Sequence, residues 1–374
     1  MIEVLTRSYV NEAGEEIATH AIPKGGVSPK SLEELRRIAI DYMKAMANVV
    51  WTAGSRIDYS FNNESLIYEP GQSYVGMIYN NCRNGLENFC EALNEDGVYR
   101  LEDVGWDTAP GNSCATSIRH AWQMICPDVE YQYSVDMMPW YPETHVQPVG
   151  DIDWSLYDGS NTAESILPNT DKQVILEAYA QAQPADGFMR YLGNKGGHAL
   201  MVTLPPVVVR NADGTINAEE SFVYLTDQNN KMNTFRQFPS TWKVDRQVSF
   251  EKAYADGWLP VTLKELRTGN APAALFEVLR QPTAGALATG QFADTTVRCN
   301  YCLVTVQMDL RADNAEGSLL ASAQLHPYKR EISLQPLAQR LDLAALSVGT
   351  YHLSVRARVG LGEATLFEEV FTKI

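Results

Sequence analysis

No run of this sequence approaches the ~18–20 consecutive apolar residues that a membrane-spanning helix needs. Clusters of Lys and Arg are missing as well. The 46 acidic residues outnumber the 30 basic ones, which gives a formal net charge of −16 at pH 7. Since an acidic chain repels the phosphate backbone of nucleic acids, these absences predict a protein with no membrane span and no nucleic-acid partner.

The first residues, MIEVLTRSYVNEAGEE, also lack the basic start and apolar core of a secretory signal. A cytoplasmic location is therefore the default expectation. A secreted or cell-surface location applies if a signal was removed ahead of this sequence.

Cysteine is scarce, with six residues in a chain of 374. That number is too small for a disulfide framework at this length. Cys299 and Cys302 form a lone C-x-x-C motif, but a zinc site would need a second ligand pair, and none stands at a suitable spacing. The motif lies in a strand-like run, where residues three apart point to opposite faces. We therefore expect structural thiols, with no metal and no cofactor.

The length of the chain suggests two domains, and its 45% hydrophobic and 20% charged residues are ordinary for folded protein. Residues 1–275 mix helical and strand patterns, which predicts an α+β domain. Residues 276–374 consist of short runs in which apolar and polar residues alternate. This alternation predicts an all-β C-terminal domain of the immunoglobulin-like sandwich type.

Apolar spacing and helix-start signals predict several helices in the first domain. Ser31 and Glu34 form a capping box at the start of the first one. The predicted helices cover residues 31–50, 84–94, 114–126 and 171–182. The segment 127–168 is predicted to be a long loop, and loops of that length are often functional.

Cys114 is the candidate nucleophile. It follows Gly111-Asn112-Ser113 and begins the helix that Pro127 ends. The free N–H groups and the macrodipole at a helix N-terminus favour a thiolate, and the same N–H groups can hold an oxyanion. Since an isolated cysteine at a helix start is more often part of a core, the assignment depends on finding a base.

His198 is the candidate base. It begins a predicted strand directly after Gly196-Gly197, and the two glycines leave room for close approach of a substrate backbone. A third polar group is needed to hold the imidazole in one tautomer.

The third group is sought on the strand that returns after the predicted Asp213-Gly214 hairpin turn. In the register of a two-residue turn, His198 faces Asn229, and Asp227 lies diagonally on the same face while Gln228 points to the other. Because Pro205-Pro206 can introduce a bulge that shifts this register by one, all three remain candidates. Asp227 ranks first, with Gln228 and Asn229 behind it.

The other histidines are expected to be structural. His120 follows Cys114 by six residues on the same helix, about 240° round the axis, which points it away from the sulfur. The remaining four have no partner that the sequence identifies: His20, His145, His326 and His352.

These segments resemble the NlpC/P60 superfamily of papain-like cysteine peptidases and amidases. Its nucleophile motif, Asp/Asn-Cys-Ser often preceded by Gly, is similar to Gly111-Asn112-Ser113-Cys114-Ala115-Thr116. Its histidine opens a strand after small residues, as His198 does, and its third polar residue on the next strand is matched by Asp227. Its Gly-x-Pro-Tyr-like segment is similar to Gly76-Met77-Ile78-Tyr79, which makes Tyr79 a further candidate for the active site.

The resemblance covers residues 70–230 and implies hydrolysis of an amide bond, often in cell-wall peptides that contain D-amino acids. The implied partner is a peptide or a peptidoglycan-derived substrate. Three features depart from the family pattern: Ser113 stands where an acidic residue is usual, and the Tyr-to-Cys segment and the hairpin after the histidine are both long. Four aromatic residues are candidates for the walls of the cleft: Trp106, Trp140, Tyr141 and Tyr191.

Two other functions fit the same residues. Transglutaminase-like proteins use the same order of Cys, His and Asp and transfer the acyl group to an amine. A papain-like scaffold that has lost turnover would instead be a binding module, which the departure at Ser113 favours. A metal-dependent hydrolase ranks below both.

Overall fold

The computed structural model describes residues 6–10, 16–21, 27, 30–60, 65–100, 104–131, 133–139, 145–193, 196–292 and 294–374. Helices are combined with antiparallel sheets, so the fold is α+β, as the sequence predicts. The chain divides into two compact units, Lys30–Ala271 and Met1–Pro29 together with Pro272–Ile374. The sequence prediction assigned residues 1–275 to the larger unit, whereas residues 272–275 and, above all, the first 29 residues belong to the smaller one.

Two strands near the start of the chain account for that difference. β1 (Thr6–Val10) and β2 (Glu16–Ala21) form an antiparallel pair, and β2 also pairs with the strand Phe276–Leu279. Glu277 stands opposite Ala21 in this ladder. A pairing between segments so far apart leaves no trace in local periodicity, which reports only the type of each element.

The helices of the larger unit include the four that the sequence predicts. They are α1 (Leu32–Asn48), α2 (Leu86–Glu91), α3 (Cys114–Gln123), α4 (Thr162–Ser165), α5 (Lys172–Gln181), α6 (Phe250–Ala255) and α7 (Lys264–Thr268), with 3-10 turns at Ser134–Met137, Trp154–Leu156 and Leu167–Asn169. In the ranges described, none of the helices is both long enough and apolar enough to cross a membrane.

The strands of the larger unit form sheets of six, three and two strands. They are β3 (Val50–Ala53), β4 (Ile57–Asp58), β5 (Ile67–Tyr68), β6 (Ser73–Val75), β7 (Val98–Tyr99), β8 (Val146–Pro148), β9 (Gly187–Tyr191), β10 (Gly197–Val207), β11 (Phe222–Asn233), β12 (Ser240–Ser249) and β13 (Leu259–Leu263). The six-stranded sheet has the order β12-β11-β10-β9-β13-β8, and α3 packs against β10 and β11.

The capping box at the start of α1 is confirmed. The N–H of Glu34 donates to Oγ of Ser31 at 3.2 Å, and the N–H of Ser31 donates to Oε2 of Glu34 at 2.8 Å. Leu35, Ala39 and Met43 lie on the buried face of the helix. This face packs against α3, so the capped helix supports the element that carries Cys114.

An aromatic cluster around Trp51 holds the segment that leads to Tyr79. The Trp51 ring lies 5.1 Å from the Tyr74 ring and 5.6 Å from the Phe89 ring. Its Nε1–H donates to the carbonyl of Gly76 at 2.9 Å. Because a buried indole N–H needs an acceptor, this bond fixes the course of the chain at Gly76.

The smaller unit is rich in strands, as the alternating pattern predicts. It contains β14 (Phe276–Leu279), α8 (Ala284–Ala288), β15 (Thr296–Leu303), β16 (Thr305–Ala312), β17 (Leu319–Leu325), β18 (Lys329–Ser333), α9 (Gln335–Leu341), β19 (Gly349–Val359), β20 (Gly362–Lys373) and a 3-10 turn at Leu343–Ala345. Its sheets have the orders β1-β2-β14-β15-β18 and β17-β16-β19-β20. In β15, Cys299 is buried and Cys302 is partly exposed, and no disulfide joins them.

Gly76 offers a test of how tightly this region is packed. Its φ is +85°, and a Cβ there would lie 2.3 Å from Cδ1 of Trp242. Gly71 has a similar φ of +76° but open space around it. We predict that Gly71→Ala lowers the free energy of unfolding by about 1 kcal/mol through the backbone alone. Gly76→Ala should lower it by about 2 kcal/mol more, because the indole must also move.

Urea unfolding of both variants, followed by circular dichroism, measures the difference. Equal losses in the two variants would mean that Trp242 moves aside without cost.

Candidate active site

Cys114 is the first residue of α3, as the sequence predicts. Ser113 is the N-cap, with an extended backbone at φ −125° and ψ 177°. The N–H of Ser113 donates to Oγ1 of Thr116 at 2.8 Å, which closes the first turn. The thiol is therefore held at the positive end of the helix, and only 7% of the residue is exposed.

Tyr79 is brought beside the nucleophile by backbone pairing. It forms a parallel bridge with Asn112, in which the N–H of Asn112 donates to the Ile78 carbonyl at 3.1 Å. The N–H of Asn80 donates in turn to the Asn112 carbonyl at 2.9 Å. Tyr79 and Cys114 line the same cleft as a result.

His198 lies at the start of β10, opposite Arg190 of β9. Its Nε2 is 3.0 Å from Oδ2 of Asp227. The imidazole also interacts with the thiol of Cys114, through its charge and a side-chain hydrogen bond, and each group shifts the pKa of the other. The structure thus brings the thiol, the imidazole and the carboxylate into one continuous chain of contacts.

Asp227 is held by three neighbours and is 1% exposed. Besides His198 at Oδ2, the Nε–H of Arg246 donates to Oδ1 at 3.2 Å. Nδ2 of Asn229 donates to Oδ2 at 3.4 Å. Asn229, the third-ranked candidate, therefore contacts the carboxylate of Asp227, and Asp227 is the group that contacts His198.

Near the site, β10 and β11 have the register that the sequence predicts. Met201 stands opposite Thr226 and Val202 opposite Leu225, and continuing this ladder sets His198 opposite Asn229. The predicted two-residue turn is wrong, however, because β10 ends at Val207, β11 begins at Phe222, and Arg210 bridges Ile216. The register shifts twice between Val202 and Val207, around Pro205-Pro206, so the turn does not fix the position of His198 relative to Asp227.

Gln228 does not belong to the catalytic group, which corrects its place among the candidates. Its Nε2 donates to the carbonyl of Met77 at 2.8 Å and to Oγ1 of Thr241 at 3.3 Å. The reason is the alternation of side chains along β11, which turns Gln228 away from the face of Asp227. Since Met77 precedes Tyr79 by two residues, Gln228 helps to position Tyr79.

Burial by itself raises the pKa of Cys114, but several groups act in the opposite direction. The charge of His198 is the strongest of these, followed by its hydrogen bond and by the backbone N–H groups of Ala199 and Ala115. The pKa of Cys114 therefore lies below its ordinary value. This direction of shift favours a thiolate at the start of α3.

Burial likewise lowers the pKa of His198, and the charge of Cys114 and the bond to Asp227 overcome it, raising the pKa to about 9. For Asp227, burial raises the pKa, and the hydrogen bond and charge of His198 bring it below its ordinary value. The lowered pKa of Cys114 and the raised pKa of His198 both favour a thiolate beside an imidazolium.

Trp258 covers the imidazole. The centroid of the Trp258 ring lies 5.6 Å from that of the His198 ring. The guanidinium of Arg190 lies 4.4 Å from the same Trp258 ring. Trp258 is 3% exposed. An apolar ring over the His198–Asp227 pair excludes water and strengthens the pair. No sequence pattern pointed to Trp258, because β13 reaches the site only through its pairing with β9.

The cleft in front of Cys114 has a volume of about 470 Å³. Its walls include Tyr79, Trp106, Tyr133, Ser134, Tyr191 and Gly197. Trp106 and Tyr191 were expected there, whereas Trp140 and Tyr141 lie outside the described residues. A Cβ at Gly197 would lie 1.8 Å from Oγ of Ser134, so the residue before His198 has to be a glycine. Ser134 shows that the predicted loop contributes to the cleft.

Two further histidines were expected to be structural. His120 is 2% exposed, with Nε2 2.8 Å from the Arg83 carbonyl, and burial followed by the charge of Arg119 lowers its pKa to about 3. His145, for which the sequence identified no partner, lies beside Cys126 and Glu265. Glu265 is far away in sequence, so only the fold could reveal this contact.

Comparison of the sequence with models of known protein families gives no match, and comparison with curated proteins gives no significant match either. The function therefore has to be argued from the geometry of these side chains.

We predict that iodoacetamide alkylates Cys114 faster than the other cysteines from about pH 6 upward, because its thiolate forms below the ordinary pKa of ~8.5. His198→Ala should remove this advantage, since the imidazolium lowers the pKa of the thiol. Mass spectrometry of the folded protein at several pH values gives the rate at each cysteine. Cys126 is the internal control and should stay slow, because burial raises its pKa. A Cys114 that titrates near 8.5 would contradict the assignment.

Asp227→Asn tests the carboxylate. Removing its negative charge should bring the pKa of His198 down from about 9, because the bond and charge of Asp227 both raise it. Turnover should fall about 10²–10⁴-fold, as when the orienting acid of a triad is lost. NMR titration of the His198 ring measures the pKa. Asn229→Ala is the matched control and should change turnover less than about tenfold, since Asn229 donates one 3.4 Å hydrogen bond to the carboxylate and otherwise accepts from the N–H of Lys231.

Proposed function

We propose that the larger unit is a cysteine hydrolase that cleaves an amide or peptide bond, with the papain-like architecture that the NlpC/P60 resemblance implies. The observation that carries the proposal is the chain of contacts from the thiol of Cys114, at a helix N-terminus, through His198 to the buried Asp227. A thiol, a base and an orienting acid in that order are the parts that acyl transfer requires.

The first half of the reaction forms a thioester. The Cys114 thiolate attacks the carbonyl carbon, and the carbonyl oxygen takes up the electron pair and accepts a hydrogen bond from the Cys114 N–H. When the oxyanion collapses, the carbon–nitrogen bond breaks. The leaving nitrogen takes the proton of His198 and departs as an amine.

The second half consumes one water. His198, now neutral, takes a proton from the water as its oxygen attacks the thioester carbon. The carbon–sulfur bond then breaks, which releases a carboxylic acid and regenerates the thiolate beside the imidazolium. Asp227 stays ionised throughout, because its role is to hold Nε2–H of His198 and keep Nδ1 directed at the sulfur.

The cleft favours a short peptide as the substrate. Aromatic side chains of Tyr79, Trp106 and Tyr191 line it, and Gly196 and Gly197 offer backbone without side chains. Aromatic walls suit the apolar faces of a peptide, and exposed backbone can pair with its amide groups. A cell-wall stem peptide has the right size and chemistry, and it agrees with the substrate class that the resemblance implies.

We infer that the smaller unit is an immunoglobulin-like β-sandwich without a catalytic part. Its two sheets touch through β15 and β19, and alternate residues of β15 are buried. This arrangement supports a sandwich, in which the inner faces of two sheets form the core.

The proposal predicts that the protein hydrolyses peptidoglycan stem peptides and that Cys114→Ala abolishes turnover. Mass spectrometry of the products in H₂¹⁸O should reveal one labelled carboxyl oxygen for each bond cleaved, since water resolves the thioester. Cys90→Ala is the matched control, because Cys90 is an exposed cysteine of α2 and should keep full activity.

Addition of an amine separates this reaction from acyl transfer. If the peptide is modified only when an amine is present, the protein is a transferase. If peptides bind without turnover while Cys114 remains unreactive, it is a binding module.

A further inference from the structure

A second cluster of reactive side chains lies at the far end of α3, away from the cleft. Cys126 follows the last turn of that helix, His145 immediately precedes β8, and Glu265 is in α7. One sulfur, one ring nitrogen and one carboxylate oxygen from these residues all lie within 4.8 Å of one another.

The distances in this cluster are close to those of a metal site. Sγ of Cys126 is 3.6 Å from Nδ1 of His145, and that same nitrogen is 2.9 Å from Oε1 of Glu265. Ligands at ordinary Zn²⁺ distances stand about 3.3–3.6 Å apart in a tetrahedral site. The sulfur–nitrogen distance lies in this range, and the hydrogen bond between His145 and Glu265 has to lengthen by about 0.4 Å to admit the ion.

The acid in the cluster is incompletely satisfied. Glu265 is 5% exposed, and its Oε2 has no hydrogen-bond partner among the described residues. A buried carboxylate oxygen without a partner is costly, and a cation removes that cost. Cys126 would bind the cation as a thiolate, since the thiolate is the form that ligates metals.

Hydrogen bonds around the cluster support the ligands. The N–H of His145 donates to the hydroxyl of Tyr131 at 2.9 Å, and the His145 carbonyl accepts from the N–H of Lys264 at 2.8 Å. Outer contacts of this kind orient the ligands of metal sites.

We propose that Cys126, His145 and Glu265 bind one Zn²⁺ ion, with water in the fourth position. Sulfur, imidazole and carboxylate together suit zinc better than magnesium or calcium, which prefer oxygen alone. The His145 side chain is 30% exposed, which leaves a path for the ion and for water. Binding releases the thiol proton of Cys126 to solvent. The proposal stands independently of the hydrolase function, because no catalytic residue takes part.

The position of the ion gives it a structural role. Cys126 and His145 bracket the segment that contributes Tyr133 and Ser134 to the cleft, and Glu265 anchors both of them to α7. An ion that binds the folded chain and not the unfolded one raises stability by mass action. We therefore expect the ion to stabilise the larger unit and the wall of the cleft together.

The test uses the full chain carrying Cys114→Ala, so that the active-site thiol cannot bind the probe. The metal-free protein is titrated with Co²⁺, which has the same ligand preferences as Zn²⁺ and absorbs visible light. We expect one equivalent to bind, with a thiolate-to-cobalt charge-transfer band and with the visible bands of four-coordinate cobalt. Added Zn²⁺ should displace the Co²⁺ and raise the urea midpoint of unfolding.

Three further variants, made in the same background, identify the ligands. Cys126→Ser should abolish the charge-transfer band, and Glu265→Gln, which keeps the shape of the side chain, should weaken binding at least about tenfold. Cys90→Ser is the control and should bind Co²⁺ unchanged.

Absence of the charge-transfer band in the Cys114→Ala protein would overturn the proposal, as would a band that survives Cys126→Ser. If Cys126→Ser fails to fold, the comparison of Glu265→Gln with Cys90→Ser decides, and equal affinities would refute the site. Because Cys114 is absent throughout, none of these results depends on the hydrolase activity.

Discussion

The pairing of β10 with β11 is the constraint on which the candidate active site depends. It sets the imidazole of His198 over the carboxylate of Asp227, which is 1% exposed. An ionised carboxylate so deeply buried is unfavourable unless charged or hydrogen-bonding groups surround it. His198 and Arg246 satisfy its two oxygens from opposite sides, so the same contacts that allow the burial also orient the base.

The helix α3 connects this constraint to the rest of the larger unit. Its first residue is Cys114, its buried face packs on α1, β10 and β11, and Cys126 follows its last turn. The two thiols therefore lie in opposite electrostatic surroundings. Cys114 meets a helix N-terminus and an imidazolium, and its pKa is lowered. Cys126 meets burial and the charge of Glu265, and its pKa is raised. The surroundings of Cys114 favour a thiolate, and those of Cys126 favour a neutral thiol.

Much of the cleft is positioned by residues that do not enter it. Trp51 and Trp242 donate to the carbonyls of Gly76 and Met77, and Gln228 donates to Met77 as well. These bonds set the chain that carries Tyr79 beside Asn112. On the other side, contact with Ser134 leaves no room for a side chain at Gly197. The shape of the cleft thus depends on buried residues behind its walls as well as on the residues that line it.

Local patterns in the sequence determined the α+β class, the capped start of α1 and the start of α3 at Cys114. Each of these depends on periodicity or capping, which act over a few residues. The register that sets Asp227 beside His198 includes two shifts between the turn and the site, and the predicted turn did not contain them. Only the tertiary structure decided that Trp258 covers His198 and that Gln228 lies outside the group of Cys114, His198 and Asp227. It also decided that β2 pairs with β14 and that Cys126 and His145 lie beside Glu265. These contacts join segments that are distant in the chain, and their cause is packing and the pairing of remote strands, for which a single sequence carries no local signal.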